Sequence, residues 1–119
     1  MSEYWGYHLI LDCKSGDKKL ISDKQNIKNF VVELVDRINM VSFGEPTVEH
    51  FASHDEKKAG FSLVQLIETS SIVGHFINSS GDFYLDVFSC KEFEIEKVTE
   101  CVDQFFSPLE TKSRYLLRE

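Results

Sequence analysis

Cysteine is scarce in this sequence. Cys13, Cys90 and Cys101 are the only three in 119 residues, an odd number, widely spaced and with no CxxC pair. That excludes a disulfide framework and gives no ground for expecting a zinc site. Basic charge is short as well: 13 Lys and Arg against 20 Asp and Glu leave a net charge of −7. A surface of that sign disfavours nucleic acid and anionic membranes, both of which require cations on the protein. It suits a cationic small molecule. No apolar run reaches the roughly 18 residues that a membrane-spanning helix needs. The start, Met1-Ser2-Glu3-Tyr4-Trp5, has neither the basic nor the apolar region of a secretory leader, and a cytoplasmic location is expected. Repeats, linkers and low-complexity tracts are also missing.

What is present is apolar and aromatic. Hydrophobic residues make up 42% and aromatics 13%, with ten Phe, enough to pack a core in one domain spanning 1–119. His8-Leu-Ile-Leu-Asp12 reads as a buried strand. Ser22 to Met40 reads as a helix, because Ile27, Phe30, Val31, Leu34, Val35 and Ile38 fall on one face. Ser22 with Gln25 three residues on matches a capping box, and Gly44-Glu-Pro46 closes the segment. Further strands are predicted over 47–52, 61–67, 72–77, 83–88 and 114–117. A second amphipathic helix carries Ile95, Val98, Cys101, Val102, Phe105 and Phe106 and stops at Ser107-Pro108. The order β-α-β-β-β-β-α-β, rich in hairpins, predicts an α/β (α+β) two-layer sandwich: a mostly antiparallel sheet with two helices on one face. The bare face predicts a homodimer.

One stretch concentrates chemistry. Ser62, Thr69-Ser70-Ser71, His75 and Cys90 put hydroxyls, an imidazole and a thiol among short strands. Each residue has a plain structural reading: a turn for Ser70-Ser71, a buried imidazole for His75, a small core side chain for Cys90. Cys101 lies on the helix core face and reads as packing. His8 reads as structural and His54, in a charged loop, as solvated.

Taken together, the residues resemble the prokaryotic, pyruvoyl-dependent S-adenosylmethionine decarboxylases. Gly6-Tyr-His8, His50-Phe51, Gly60-Phe-Ser62, Glu68-Thr69-Ser70-Ser71, His75 five residues after Ser70, and Asp86-Val-Phe-Ser-Cys90 lie in the order of that family's motifs. The resemblance implies self-cleavage between Thr69 and Ser70, with Ser70 becoming the pyruvoyl cofactor, which forms a Schiff base with the substrate amine. It implies that Ser62 and His75 assist processing and that Cys90 donates the proton in turnover. Phe51 would stack on adenine, and Glu68 would be a substrate-binding carboxylate or a strand-edge charge. It further implies S-adenosylmethionine as substrate, spermidine synthesis as the purpose, and no metal. All of this requires residues 62, 70, 75 and 90 to gather around one peptide bond.

The sequence departs from the pattern in four places, one of them a loop between Phe51 and Ser62 that is several residues longer than usual. Thr69 stands where Glu is usual and Ser71 where His is usual. The family's Trp-Pro-Glu after the histidine is replaced by Phe76-Ile77-Asn78-Ser79. In the family that Glu holds the substrate ribose. Two alternatives therefore stay open: the same chemistry on ornithine or arginine, or an unprocessed, non-catalytic homologue that binds a nucleoside or regulates a paralogue.

Overall fold

Strands whose alternate residues are apolar bury one side and leave the other to water or a partner. In the computed structural model, which describes residues 4–119, that alternation builds a single six-stranded sheet. The strands are β1 (Gly6–Lys14), β2 (Ser42–Phe51), β3 (Gly60–Ile67), β4 (Ser70–Ile77), β5 (Phe83–Ser89) and β6 (Glu110–Arg118). The helices are α1 (Lys18–Ile21), α2 (Lys24–Arg37) and α3 (Ile95–Phe106). Across the sheet the order is β2-β3-β4-β5-β1-β6, and every neighbouring pair is antiparallel. The antiparallel α+β architecture expected from the hairpin-rich order is what forms. Among the described residues no helix is long and apolar enough to cross a membrane.

The core lies between the sheet and its helices. Leu9, Leu11, Leu63, Ile72, Phe76, Phe83 and Leu85 project from the strands against Ile27, Phe30 and Leu34 of α2 and Val98, Cys101 and Phe106 of α3. Phe106 sits at the centre of an aromatic cluster, 4.8 Å from Phe30 and 5.1 Å from both Phe76 and Phe83 between ring centroids. Replacing it by Ala removes these contacts and a fourth, to Phe105, and leaves a cavity. Phe106→Ala is expected to cost about 3–5 kcal/mol of unfolding free energy in a urea titration.

Among the described residues no helix covers the second face of the sheet. Phe43, Val64, Leu66 and Leu116 remain 67%, 40%, 51% and 44% exposed there. His8, Asp86, Ser62 and His75 share that face by the alternation of their strands.

Local boundaries differ from the sequence reading in ways that chemistry explains. The helix expected over 22–40 is α2, shorter at both ends and preceded by the separate α1, and its cap is not Ser22. Asp17 accepts from the Lys19 and Leu20 amides, and Asp23 accepts from those of Gln25 and Asn26 at 2.9 and 3.1 Å. A carboxylate is the stronger acceptor at a helix start, and the Ser22 hydroxyl instead donates to Asn78 Oδ1 at 3.1 Å. Gly44-Glu-Pro46 does not close the segment after the helix. It is an irregularity inside β2, between Phe43 and Thr47, with Gly44 at φ 76°. Buried Gln65 donates its amide to the Gly44 carbonyl at 3.1 Å, satisfying an oxygen that the ladder leaves unpaired. Pro46 is tolerated because β2 is an edge strand.

Candidate active site

Two side chains expected to act together do meet. Ser62 on β3 and His75 on β4 are direct cross-strand partners, and Ser62 Oγ lies 3.0 Å from His75 Nδ1. The bond fixes one imidazole nitrogen and leaves Nε2 on a solvent-exposed ring. Phe51 lies at the same end of the sheet. It closes β2 opposite Gly60, which in turn faces Ile77 two residues beyond His75, and its ring is 57% exposed.

The other expected residues meet at the opposite end. The β3–β4 hairpin is tight: Ile67 pairs with Ser70, leaving only Glu68 and Thr69 in the turn. Ser70 therefore opens β4 instead of lying in a three-residue turn. It also faces Ser89, the last residue of β5. One residue further on, the backbone N–H of Cys90 donates to the Thr69 carbonyl at 2.9 Å. That carbonyl belongs to the Thr69–Ser70 peptide bond. The Glu68 N–H donates to the Val41 carbonyl at 2.9 Å, so the turn is held from a second side. Ser89 Oγ donates to Thr69 Oγ1 at 2.8 Å, and Thr69 Oγ1 donates to Met40 Sδ at 3.2 Å. Neither Ser89 nor Met40 was singled out in the sequence. The serine before Cys90 was the available signal.

The gathering of residues 62, 70, 75 and 90 around one bond thus requires correction. Within one chain they form two groups, Ser70 with Cys90 and Ser62 with His75. Five residues of extended β4 separate Ser70 from His75, about 16 Å at ~3.3 Å per residue. Sequence spacing of five means proximity on a helix, and distance on a strand.

The three thiols have different surroundings. Cys13 and Cys101 are buried, and burial pushes both thiols up to about 11. They are protonated and inert at neutral pH. Cys90 is exposed. Iodoacetamide on the native protein is expected to label one thiol, Cys90, and to reach all three only after denaturation, as counted by intact mass.

His8, expected to be structural, has its Nε2 3.0 Å from Asp86 Oδ1, and its ring meets Phe88 edge-on.

The family model described as S-adenosylmethionine decarboxylase matches residues 7–119. The chain belongs to the S-adenosylmethionine decarboxylase family. Its fold is similar to the crystal structure of the adenosylmethionine decarboxylase from Aquifex aeolicus VF5. The TM-score is 0.81 at 18% identity, covering 98% of this chain and 92% of that one. Among curated proteins no sequence match is found. An S-adenosylmethionine decarboxylase fold at so low an identity leaves the individual side chains free to differ. Family and fold agree with decarboxylation of S-adenosylmethionine in general.

Proposed function

We propose that the chain is a self-processing decarboxylase of S-adenosylmethionine, cut between Thr69 and Ser70, acting in spermidine synthesis in the cytoplasm. One observation carries this reading: a serine follows a carbonyl that is held at 2.9 Å by the Cys90 N–H in a two-residue turn. Attack by Ser70 Oγ on the Thr69 carbonyl carbon puts negative charge on that oxygen, and a fixed amide donor is already aimed at it. The C–N bond to Ser70 then breaks, the hydroxyl proton passes to the freed amine, and an ester links Ser70 to Thr69. Loss of the Ser70 Cα proton expels the Thr69 carboxylate. The dehydroalanine left behind takes up water, loses ammonia and becomes a pyruvoyl group.

The residues around Ser70 fit that group. The turn is short, Ser70 is partly exposed, and the exposed Cys90 holds the scissile carbonyl through its backbone N–H. When formed, the pyruvoyl ketone supplies a carbonyl for the substrate amine and an electron sink for the carboxylate's departure. Cys90 is assigned the return of a proton to the substrate carbon. Glu68, exposed in the turn next to Thr69, offers a carboxylate to a cationic substrate.

His75, oriented by Ser62, is assigned the removal of the Ser70 proton. At about 16 Å along its own strand it cannot reach its own Ser70. We therefore place it, with Phe51, across a homodimer in which two bare sheet faces meet. Each site then takes Ser70 and Cys90 from one copy and Ser62, His75 and Phe51 from the other. The apolar residues Phe43, Val64 and Leu66 on that face support such a contact.

The alternative amine substrates retain one supporting observation. Asn78, in the stretch where the family keeps its ribose carboxylate, is engaged by Ser22 Oγ at 3.1 Å and His50 Nε2 at 2.8 Å. Carbon dioxide release measured on S-adenosylmethionine, ornithine and arginine in parallel decides between them. Release from S-adenosylmethionine is expected; release confined to ornithine or arginine overturns the substrate assignment. Protein that stays a single chain throughout, by intact mass, favours the non-catalytic homologue.

A further inference from the structure

We propose that Ser89 is a positioning residue for self-cleavage, acting through the Thr69 side chain. The proposal rests on the self-processing reading above and names a part of the chain that this reading does not use.

The geometry begins with a hydrogen-bond chain whose direction is fixed at both ends. The Lys91 N–H donates to Ser89 Oγ at 2.9 Å. A backbone amide can only donate, so the single Ser89 hydroxyl proton must go elsewhere. Two acceptors are in reach, Thr69 Oγ1 at 2.8 Å and Met40 Sδ at 3.7 Å, and the proton goes to the nearer, Thr69 Oγ1. The Thr69 proton then goes to Met40 Sδ at 3.2 Å, and a thioether can only accept. Amide, hydroxyl, hydroxyl and thioether thus form one ordered line. Ser89 is fully buried at 0% exposure and Met40 nearly so, at 8%. Buried hydroxyls without partners are costly, which holds the line in one arrangement.

This line passes through the residue whose carbonyl is to be attacked. A two-residue hairpin tip is normally among the more mobile parts of a sheet. Here Thr69 is held on both sides of its Cα, by Ser89 and Met40 through the side chain and by Cys90 through the carbonyl. With Thr69 fixed, rotation of the Ser70 hydroxyl is the main motion left before attack. Orientation of this kind contributes to rate without touching the reacting atoms. The step gains nothing from outside. The Ser70 Oγ–C bond forms, the Thr69 C–N bond breaks, and the hydroxyl proton moves to the amine.

Ser89→Ala removes the middle of the line and keeps the Cys90 contact. Thr69→Val removes its second hydroxyl while keeping the shape of the side chain. Each is expected to slow the appearance of the two fragments about 10- to 100-fold. Because both break one device, the double variant is expected to be no slower than the slower single variant. Ser89→Thr restores the hydroxyl and is expected to cleave within about threefold of the natural chain. The part of Ser89→Ala that does cleave is expected to keep the natural kcat/KM. Hydroxylamine, which traps esters, should reveal less ester in Ser89→Ala at early times.

Ser89→Ala cleaving at the natural rate, Ser89→Thr as slow as Ser89→Ala, or multiplying single effects each overturn the proposal. Should Ser89→Ala fail to fold, Thr69→Val carries the same test from the turn itself. A natural chain that never cleaves overturns the self-processing reading and this proposal with it. A natural chain that cleaves, beside an unslowed Ser89→Ala, overturns this proposal alone.

Discussion

Ser70→Ala is expected to leave the chain whole at 13.8 kDa and without measurable decarboxylase activity, whereas the natural chain resolves into fragments 1–69 and 70–119. The expectation follows from the atoms. Alanine keeps the turn, the Cys90 contact to the Thr69 carbonyl and the β4 pairing, and removes only the nucleophile. Ser70 is partly exposed and outside the buried core, so the unfolding midpoint should stay close to the natural one. In the natural chain the 70–119 fragment should lack a free amino group and resist stepwise N-terminal sequencing. Ser71 cannot substitute for its neighbour. The carbonyl upstream of Ser71 is that of Ser70, already within a ladder between β3 and β5 and lacking the Cys90 donor. Ser71→Ala should therefore cut like the natural chain. Intact mass reads every one of these outcomes. Cleavage persisting in Ser70→Ala would sink the assignment.

Two inactive variants are expected to restore activity when co-expressed. His75→Ala lacks the imidazole in every copy and Cys90→Ala lacks the thiol, so each alone should be near background. If a site draws Ser70 and Cys90 from one copy and Ser62 and His75 from the other, a mixed dimer contains one complete site and one doubly defective site. With random pairing, half the dimers are mixed, and about a quarter of natural activity should return. The separation along β4 carries this prediction, since an imidazole about 16 Å from its own Ser70 cannot take that residue's proton. A mixture that stays at background would mean that each site is built within one chain, and the bare-face dimer would have to be abandoned. Tandem expression with separable tags, followed by isolation of the mixed dimer, raises the expected yield to about half.

Much of the architecture was legible because periodicity reports burial. The α2 face from Ile27 to Val35 and the alternation of β5 from Phe83 to Ser89 are surface patterns of the folded molecule written into the chain. The helix start was misplaced by one residue because Ser22 and Asp23 are both good caps, and only the competing Asn78 contact, 56 residues away, decides between them. The β2 irregularity was hidden for a related reason. It depends on Gln65 from the neighbouring strand, and a polar residue in a strand gives no sign that it is buried. The site residues were recognisable as types but not as an arrangement. Their spacing says which ones belong together in a motif, and the strand converts that spacing into two remote groups. Ser89 escaped notice because nothing in a serine marks its hydroxyl as the link between the Lys91 amide and Thr69.

The strand order has one more consequence. A break after Thr69 would assign β1, β2 and β3 to the first piece and β4, β5 and β6 to the second. Across the sheet β2-β3-β4-β5-β1-β6, these do not lie as two blocks, because β1 of the first piece is clasped between β5 and β6 of the second. The severed halves are interleaved like folded fingers. Neither can depart without stripping two full ladders from β1, so the cut molecule keeps its shape although no covalent bond holds the halves together. Reassembly after denaturation, by contrast, becomes an encounter between two molecules and so depends on dilution.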